Sequence, residues 1–160
     1  MAIYNAWMNE KVYSATAKLS DEERKLDRGA FFGSIHRTLN HILWADLLWL
    51  ARMKGDPLPE IGGVDAVLHE GFEDLWSARR KTDEAIRAWT ETIDDASLDT
   101  DLTIHSRATG STLVCKRRIA LMQIFNHQTH HRGQITTLLT QAGVDVGVTD
   151  LPRVPEFQSA

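Results

Sequence analysis

At 160 residues the chain has the length of one domain, residues 1–160, and a domain of that size buries on the order of 70% of the surface its unfolded chain exposes. A hydrophobic share of 42%, a charged share of 25% and a mean hydropathy of -0.29 are those of a globular protein and exclude a disordered or fibrous chain. A net charge of -4 and a pI near 5.9 exclude broad binding to nucleic acid, which requires clustered Lys and Arg; the cluster Lys116-Arg117-Arg118 reads as a solvated helix edge.

The N-terminus, Met1 to Trp7, has neither a basic leader nor a small-residue cleavage site, so a cytosolic protein is expected. Apolar residues at Ile3, Tyr4, Trp7, Met8, Val12, Ala15 and Leu19 follow the three-and-four spacing of a first helix over about residues 2 to 18. Ser20-Asp21-Glu22-Glu23 is a capping box, predicting a short helical turn that ends before Asp27-Arg28-Gly29. Ser34 then opens a second helix through Ile35, Leu39, Ile42, Leu43, Leu47, Leu50 and Met53, closed by Gly55 and Pro57. Its longest apolar run, Ile42 to Ala51, is broken by Asp46 and falls short of the roughly 20 residues of a membrane helix, so no membrane association is expected. Trp44, Leu47, Leu48 and Leu50 give this helix more apolar surface than one core needs, which predicts a homodimer.

After the Pro- and Gly-rich loop 56–63, a third helix is predicted over about residues 65 to 92 through Leu68, Phe72, Leu75, Trp76, Ile86 and Trp89, with a highly charged polar face. Period-two alternation over Asp101 to Ser106, a turn at Ala108-Thr109-Gly110 and Ser111 to Cys115 predict a small β-hairpin. Cys115, the single cysteine, reads as a small buried or half-buried thiol. A fourth helix over about residues 117 to 142 is expected to bury Ile119, Met122, Ile124, Phe125, Ile135, Leu138 and Leu139 and to stop at Gly143. The expected fold is therefore all-α, an antiparallel four-helix bundle with a small β-hairpin before the last helix. The tail from Val144, with Pro152 and Pro155, has no period and is expected to lie across one end of the bundle or fray.

Chemistry concentrates in Asn126-His127-Gln128-Thr129-His130-His131-Arg132-Gly133-Gln134, which holds three of the seven histidines. With His127 at the zero of a helical wheel, His131 falls at about 40° and Gln134 at about -20°, a narrow polar stripe on an apolar helix. Two imidazoles four residues apart can share one divalent ion. His130 lies near -60°, so His127 can pair with His131 or with His130, but adjacent residues point about 100° apart and His130 and His131 should not both bind. His41, facing a mostly apolar wall on the second helix, is a third candidate; a metal would satisfy it, as would a glutamine such as Gln134. Three histidines leave positions open for water or substrate, the arrangement of a catalytic metal. The competing reading is a set of core histidines satisfied by hydrogen bonds. His36, His69 and His105 show no partner pattern and read as surface or locally bonded groups. The sequence has no Gly-rich phosphate loop and no nucleophile elbow.

Tyr4 to Asn9, Ser34 to Asp46, Asn126 to Gln134 and Gly147 to Leu151, in this order and spacing, resemble the DinB (DinB/YfiT-like) metalloenzyme family over nearly the whole chain. The resemblance implies a four-helix bundle in which His41, His127 and His131 bind a divalent metal, nickel or zinc. It also implies a metal-dependent enzyme, in characterised relatives a thiol-dependent S-transferase or isomerase, with a low-molecular-weight thiol such as bacillithiol or mycothiol as cosubstrate and a small-molecule substrate. The alternative is a non-catalytic metal-binding or stress-response protein. No residue stands out as a general base.

Overall fold

The computed structural model describes residues 1–105 and 110–158. Six α-helices and one antiparallel hairpin follow in the order α1 (Ala2–Thr16), α2 (Asp21–Lys25), α3 (Ile35–Lys54), α4 (Phe72–Thr90), α5 (Asp95–Leu98), β1 (Asp101–His105), β2 (Thr112–Lys116) and α6 (Arg117–Gln141). The chain is thus mostly helical with a two-stranded sheet. Asp101 pairs with Lys116 and His105 with Thr112. The expected turn residues Ala108 and Thr109, with Ser106, lie outside the described residues.

Local chemistry sets the helix ends. Ser20 accepts the Glu23 amide at 3.2 Å while Glu23 accepts the Ser20 amide at 2.7 Å, the reciprocal bonds of the capping box that starts α2. Ser34 caps α3 through the Arg37 amide at 3.2 Å, and Gly55, at φ 75°, closes it in the left-handed conformation that glycine adopts without Cβ strain. The α4 helix begins at Phe72 rather than near residue 65. Asn40 accepts the His69 amide at 2.9 Å and donates to the His69 carbonyl, and the buried His36 ring bonds that same carbonyl at 2.9 Å. These side chains of α3 hold the backbone groups that another helical turn would have used. His36 is accordingly a core group tied to a distant segment, not the surface or locally bonded residue that its sequence surroundings predict.

The four long helices pack α3 on α6 and on α4, and α1 on α4 and on α6. Their apolar residues form two clusters. One gathers Met8, Val12, Leu39, Leu43, Leu75, Ile135 and Leu139. The other gathers Leu50, Met53, Ile86, Ile124 and Phe125 beneath Leu102 and Ile104 of β1. A buried polar layer separates them in sequence on three of these helices: Asp46 falls between Leu43 and Leu50, Arg79 and Asp83 between Leu75 and Ile86, and Gln128 and Arg132 between Phe125 and Ile135. The charged face expected for the third helix thus includes a buried Arg–Asp pair, which meets partners on the other helices.

Ile119 and Met122 are corrections to the expected core, at 52% and 65% exposed. They lie in the first two turns of α6, and Met122 lines an open groove of about 750 Å³ with Met1, Ile3 and Leu121. Leu48 and Leu50 are buried within this one chain, and Leu47 packs on the first cluster, so much of the apolar surface of α3 is already covered. The tail is pinned along α1: Tyr4 donates to the Thr149 carbonyl at 2.8 Å, Lys11 to the Val148 carbonyl at 2.5 Å, and Val154 is fully buried after a turn at Leu151–Arg153. Among the described residues no helix is long and apolar enough to cross a membrane.

Candidate metal centre

The crossing of α3 and α6 brings His41, His127 and His131 together, with one ring nitrogen of each within 4.8 Å of the others. The Nε2 of His127 is 3.1 Å from the Nε2 of His41 and 3.1 Å from that of His131. His130, one residue from His131, is exposed and stands outside this group.

Hydrogen bonds at the far nitrogens orient two of the rings. His41 Nδ1 donates to the Val64 carbonyl at 3.0 Å, and His131 Nδ1 donates to Gln134 Oε1 at 2.7 Å. Gln134 therefore satisfies His131, not His41. A neutral imidazole with its proton on Nδ1 has a bare lone pair on Nε2. Two such lone pairs face His127, whose single proton can serve only one of them. The Nδ1 of His127 is buried without a partner among the described residues. A cation at the point of convergence would satisfy all three lone pairs. Two imidazole nitrogens each about 2.1 Å from one ion are at most about 4.2 Å apart, so the 3.1 Å separations fit a shared ion. The arrangement can hold a divalent metal and leave other positions free.

The surroundings keep the rings neutral. Burial lowers the pKa of His41, His127 and His131 alike, and for His127 burial and then the neighbouring imidazoles push it down to about 3. Phe32 stacks on His41 with ring centroids 3.9 Å apart and Trp44 stacks at 5.9 Å, so aromatic rings pack against the largely buried His41. The larger groove near Met122 contains none of these histidines. A smaller cavity of about 380 Å³ is lined by Trp44 and Val64, two neighbours of His41, and by none of the three histidines.

Sequence reasoning did not single out the inner polar layer as a connected group. Arg79 donates to Asp46 at 2.5 Å and forms an ion pair with Asp83 at 2.9 Å. Gln128 donates to Asp46 and accepts from Arg132 at 3.0 Å. Arg132 also donates to Asn5 at 2.5 Å and Asn9 at 3.2 Å, and both asparagines donate to Asp83, at 3.3 and 2.9 Å. The signals that could have revealed it are Asp46 inside an apolar run and the i, i+4 pairs Arg79/Asp83 and Gln128/Arg132 on otherwise apolar helix faces.

Fold and site together define a mostly helical protein with a three-histidine cluster able to hold a divalent ion. The chain belongs to the DinB family, whose model matches residues 1–159. It is 28% identical over 153 residues to Protein DinB of Bacillus subtilis (strain 168), covering 92% of this chain and 87% of that one. It also resembles the crystal structure of a DinB-like protein from Bacillus cereus ATCC 10987, with a TM-score of 0.64 and 26% identity over 88% of this chain and 89% of that one.

Proposed function

We propose that this chain is a single-domain antiparallel four-helix bundle whose His41, His127 and His131 ligate one divalent metal, nickel or zinc, and that it is a metal-dependent thiol S-transferase. The observation that carries the reading is the convergence of three Nε2 atoms, two of them held as lone pairs by Val64 and Gln134. A bound divalent ion would supply Lewis acidity, lowering the pKa of a thiol so that a thiolate nucleophile exists at neutral pH. The chain's own contribution is to hold the three rings neutral and oriented, with Phe32 and Trp44 shielding His41 from water. The free ligand positions would receive the thiol, and the second substrate would be a small electrophile.

Two measurements test this. Elemental analysis of protein purified without chelator is expected to give one nickel or zinc per chain. The metal-loaded protein, assayed with a panel of low-molecular-weight thiols and electrophiles, is expected to show thiol-dependent turnover that a chelator abolishes. Substoichiometric metal would sink the metal assignment, whereas full metal without turnover on any pair would favour a non-catalytic metal-binding protein.

A further inference from the structure

We propose that the buried polar ring running Asp46–Gln128–Arg132–Asn9–Asp83–Arg79 and back to Asp46 positions the histidine centre. It fixes the rotation of α6 against α3 so that His127 and His131 meet His41. The proposal rests on the metal-binding reading for one of its two readouts only.

The ring closes on itself and takes members from all four long helices: Asn9 with Asn5 from α1, Asp46 from α3, Arg79 and Asp83 from α4, Gln128 and Arg132 from α6. Its charges balance, Arg79 and Arg132 against Asp46 and Asp83. Gln128 is the joint between α6 and α3. Its amide nitrogen donates to the Asp46 carboxylate while its oxygen accepts from the Arg132 guanidinium, so flipping the amide would set like partners against each other.

Gln128 and Arg132 each follow a histidine of the cluster by one residue, a rotation of about 100° on the helix. Anchoring the inner pair therefore sets the direction of the outer pair. The lever is long: on a helix whose side chains reach roughly 6 Å from the axis, a rotation of about 20° carries a ring nitrogen by about 2 Å. That displacement would break a ligand set needing placement within about 0.5 Å. The two apolar clusters do not specify this angle, because burial of apolar area is non-directional, whereas hydrogen bonds weaken steeply off axis. Stability alone does not call for the ring either, since well-packed apolar residues often replace buried ionic groups at no loss. What the ring adds is a single rotational setting at the level of the histidines on α6.

The test uses Gln128→Leu, which removes the joint but leaves Asp46 bonded to Arg79 and Arg132 bonded to Asn5 and Asn9. Zinc affinity is measured by chelator competition. The ring tautomers of the metal-free protein are read from long-range 1H–15N spectra, where His41 and His131 are each expected to show the Nδ1–H form alone. In Gln128→Leu the helix content is expected to hold, the zinc Kd to rise tenfold or more, and the tautomer signals to average. Asn9→Ala touches no histidine and is expected to move both readouts in the same direction. Leu75→Ala, a destabilised control in the apolar core, is expected to lower the melting temperature and leave both unchanged. Wild-type affinity and single tautomers in folded Gln128→Leu would overturn the proposal, as would an equal loss of affinity in Leu75→Ala. If the wild-type chain takes up no zinc, the metal reading fails and the spectra alone decide: averaging in Gln128→Leu supports the ring's role, and unchanged tautomers overturn it.

Discussion

Gln134 and His131 are joined by a 2.7 Å hydrogen bond in which the imidazole Nδ1 donates to the amide oxygen, and this bond turns the Nε2 lone pair of His131 toward His127. It is the side-chain counterpart of the Val64 carbonyl behind His41. Partners of this kind raise the basicity of a ligand and lock its ring. Gln134→Leu is therefore expected to weaken divalent-metal binding by roughly 10- to 100-fold while the fold persists. Chelator competition measures this, and an unchanged Kd would show that the bond does not orient the ring.

His127→Ala tests the ligand set itself. His127 is the one ring within 3.1 Å of both others, and it contributes nothing to either apolar cluster. The variant is expected to keep its far-ultraviolet circular dichroism and to lose stoichiometric metal, because the two remaining imidazoles are too few for a closed or catalytic site. Retained metal in elemental analysis would require a different ligand set.

The i, i+4 histidine pair and the amphipathic course of α3 were legible because helical spacing alone places side chains on faces. What closes the site was not. The acceptor for His41 is a backbone carbonyl in the loop before α4, and a backbone group leaves no mark in the sequence. The polar face of the third helix reads as solvated because an unpaired charge belongs in water; Arg79 and Asp83 are buried here with partners on other helices, Asp46 for Arg79 and Asn5 and Asn9 for Asp83. The start of α4 was misplaced for a similar reason, since the groups that halt it belong to His36 and Asn40 on α3. Ile119 and Met122 carry helical spacing but line the outside, because periodicity identifies a face without saying whether anything covers it.

Acid is expected to destabilise the metal-free protein. Burial holds His36, His41, His127 and His131 below the ordinary imidazole value near 6.5, and His127 falls to about 3. As pH drops through 6.5 the unfolded chain takes up protons that the folded chain refuses, so stability is full above 6.5 and declines below it. The slope is at most about 1.4 kcal/mol per pH unit for each ring, and less for the partly exposed ones. Asp46 acts in the opposite sense: burial raises its carboxyl to about 6, so the folded state gains protons first between about 6 and 4. One carboxyl against four rings leaves a net loss. Urea midpoints with chelator present are expected to fall from pH 7.5 to pH 5, and a midpoint that stays level or rises would contradict the neutral-ring account.

Asn40→Ala probes how the loop that supplies Val64 is held. The Asn40 amide is fully buried; it donates to the His36 carbonyl at 3.0 Å and the His69 carbonyl at 3.3 Å, and its oxygen accepts the His69 amide at 2.9 Å. Truncation removes these bonds and leaves the His69 N–H without its acceptor, a loss of about 1 to 3 kcal/mol. Segment 65–71 is then free to loosen, and with it the neighbouring Val64 carbonyl that fixes the His41 ring. Stability and metal affinity are expected to fall together in this variant, whereas Gln134→Leu should lower affinity with little change in stability. Denaturant unfolding of the metal-free protein and chelator competition on the same samples separate the two. An Asn40→Ala protein that loses stability but binds metal as the wild type does would show that Val64 is held independently of the His69 clamp.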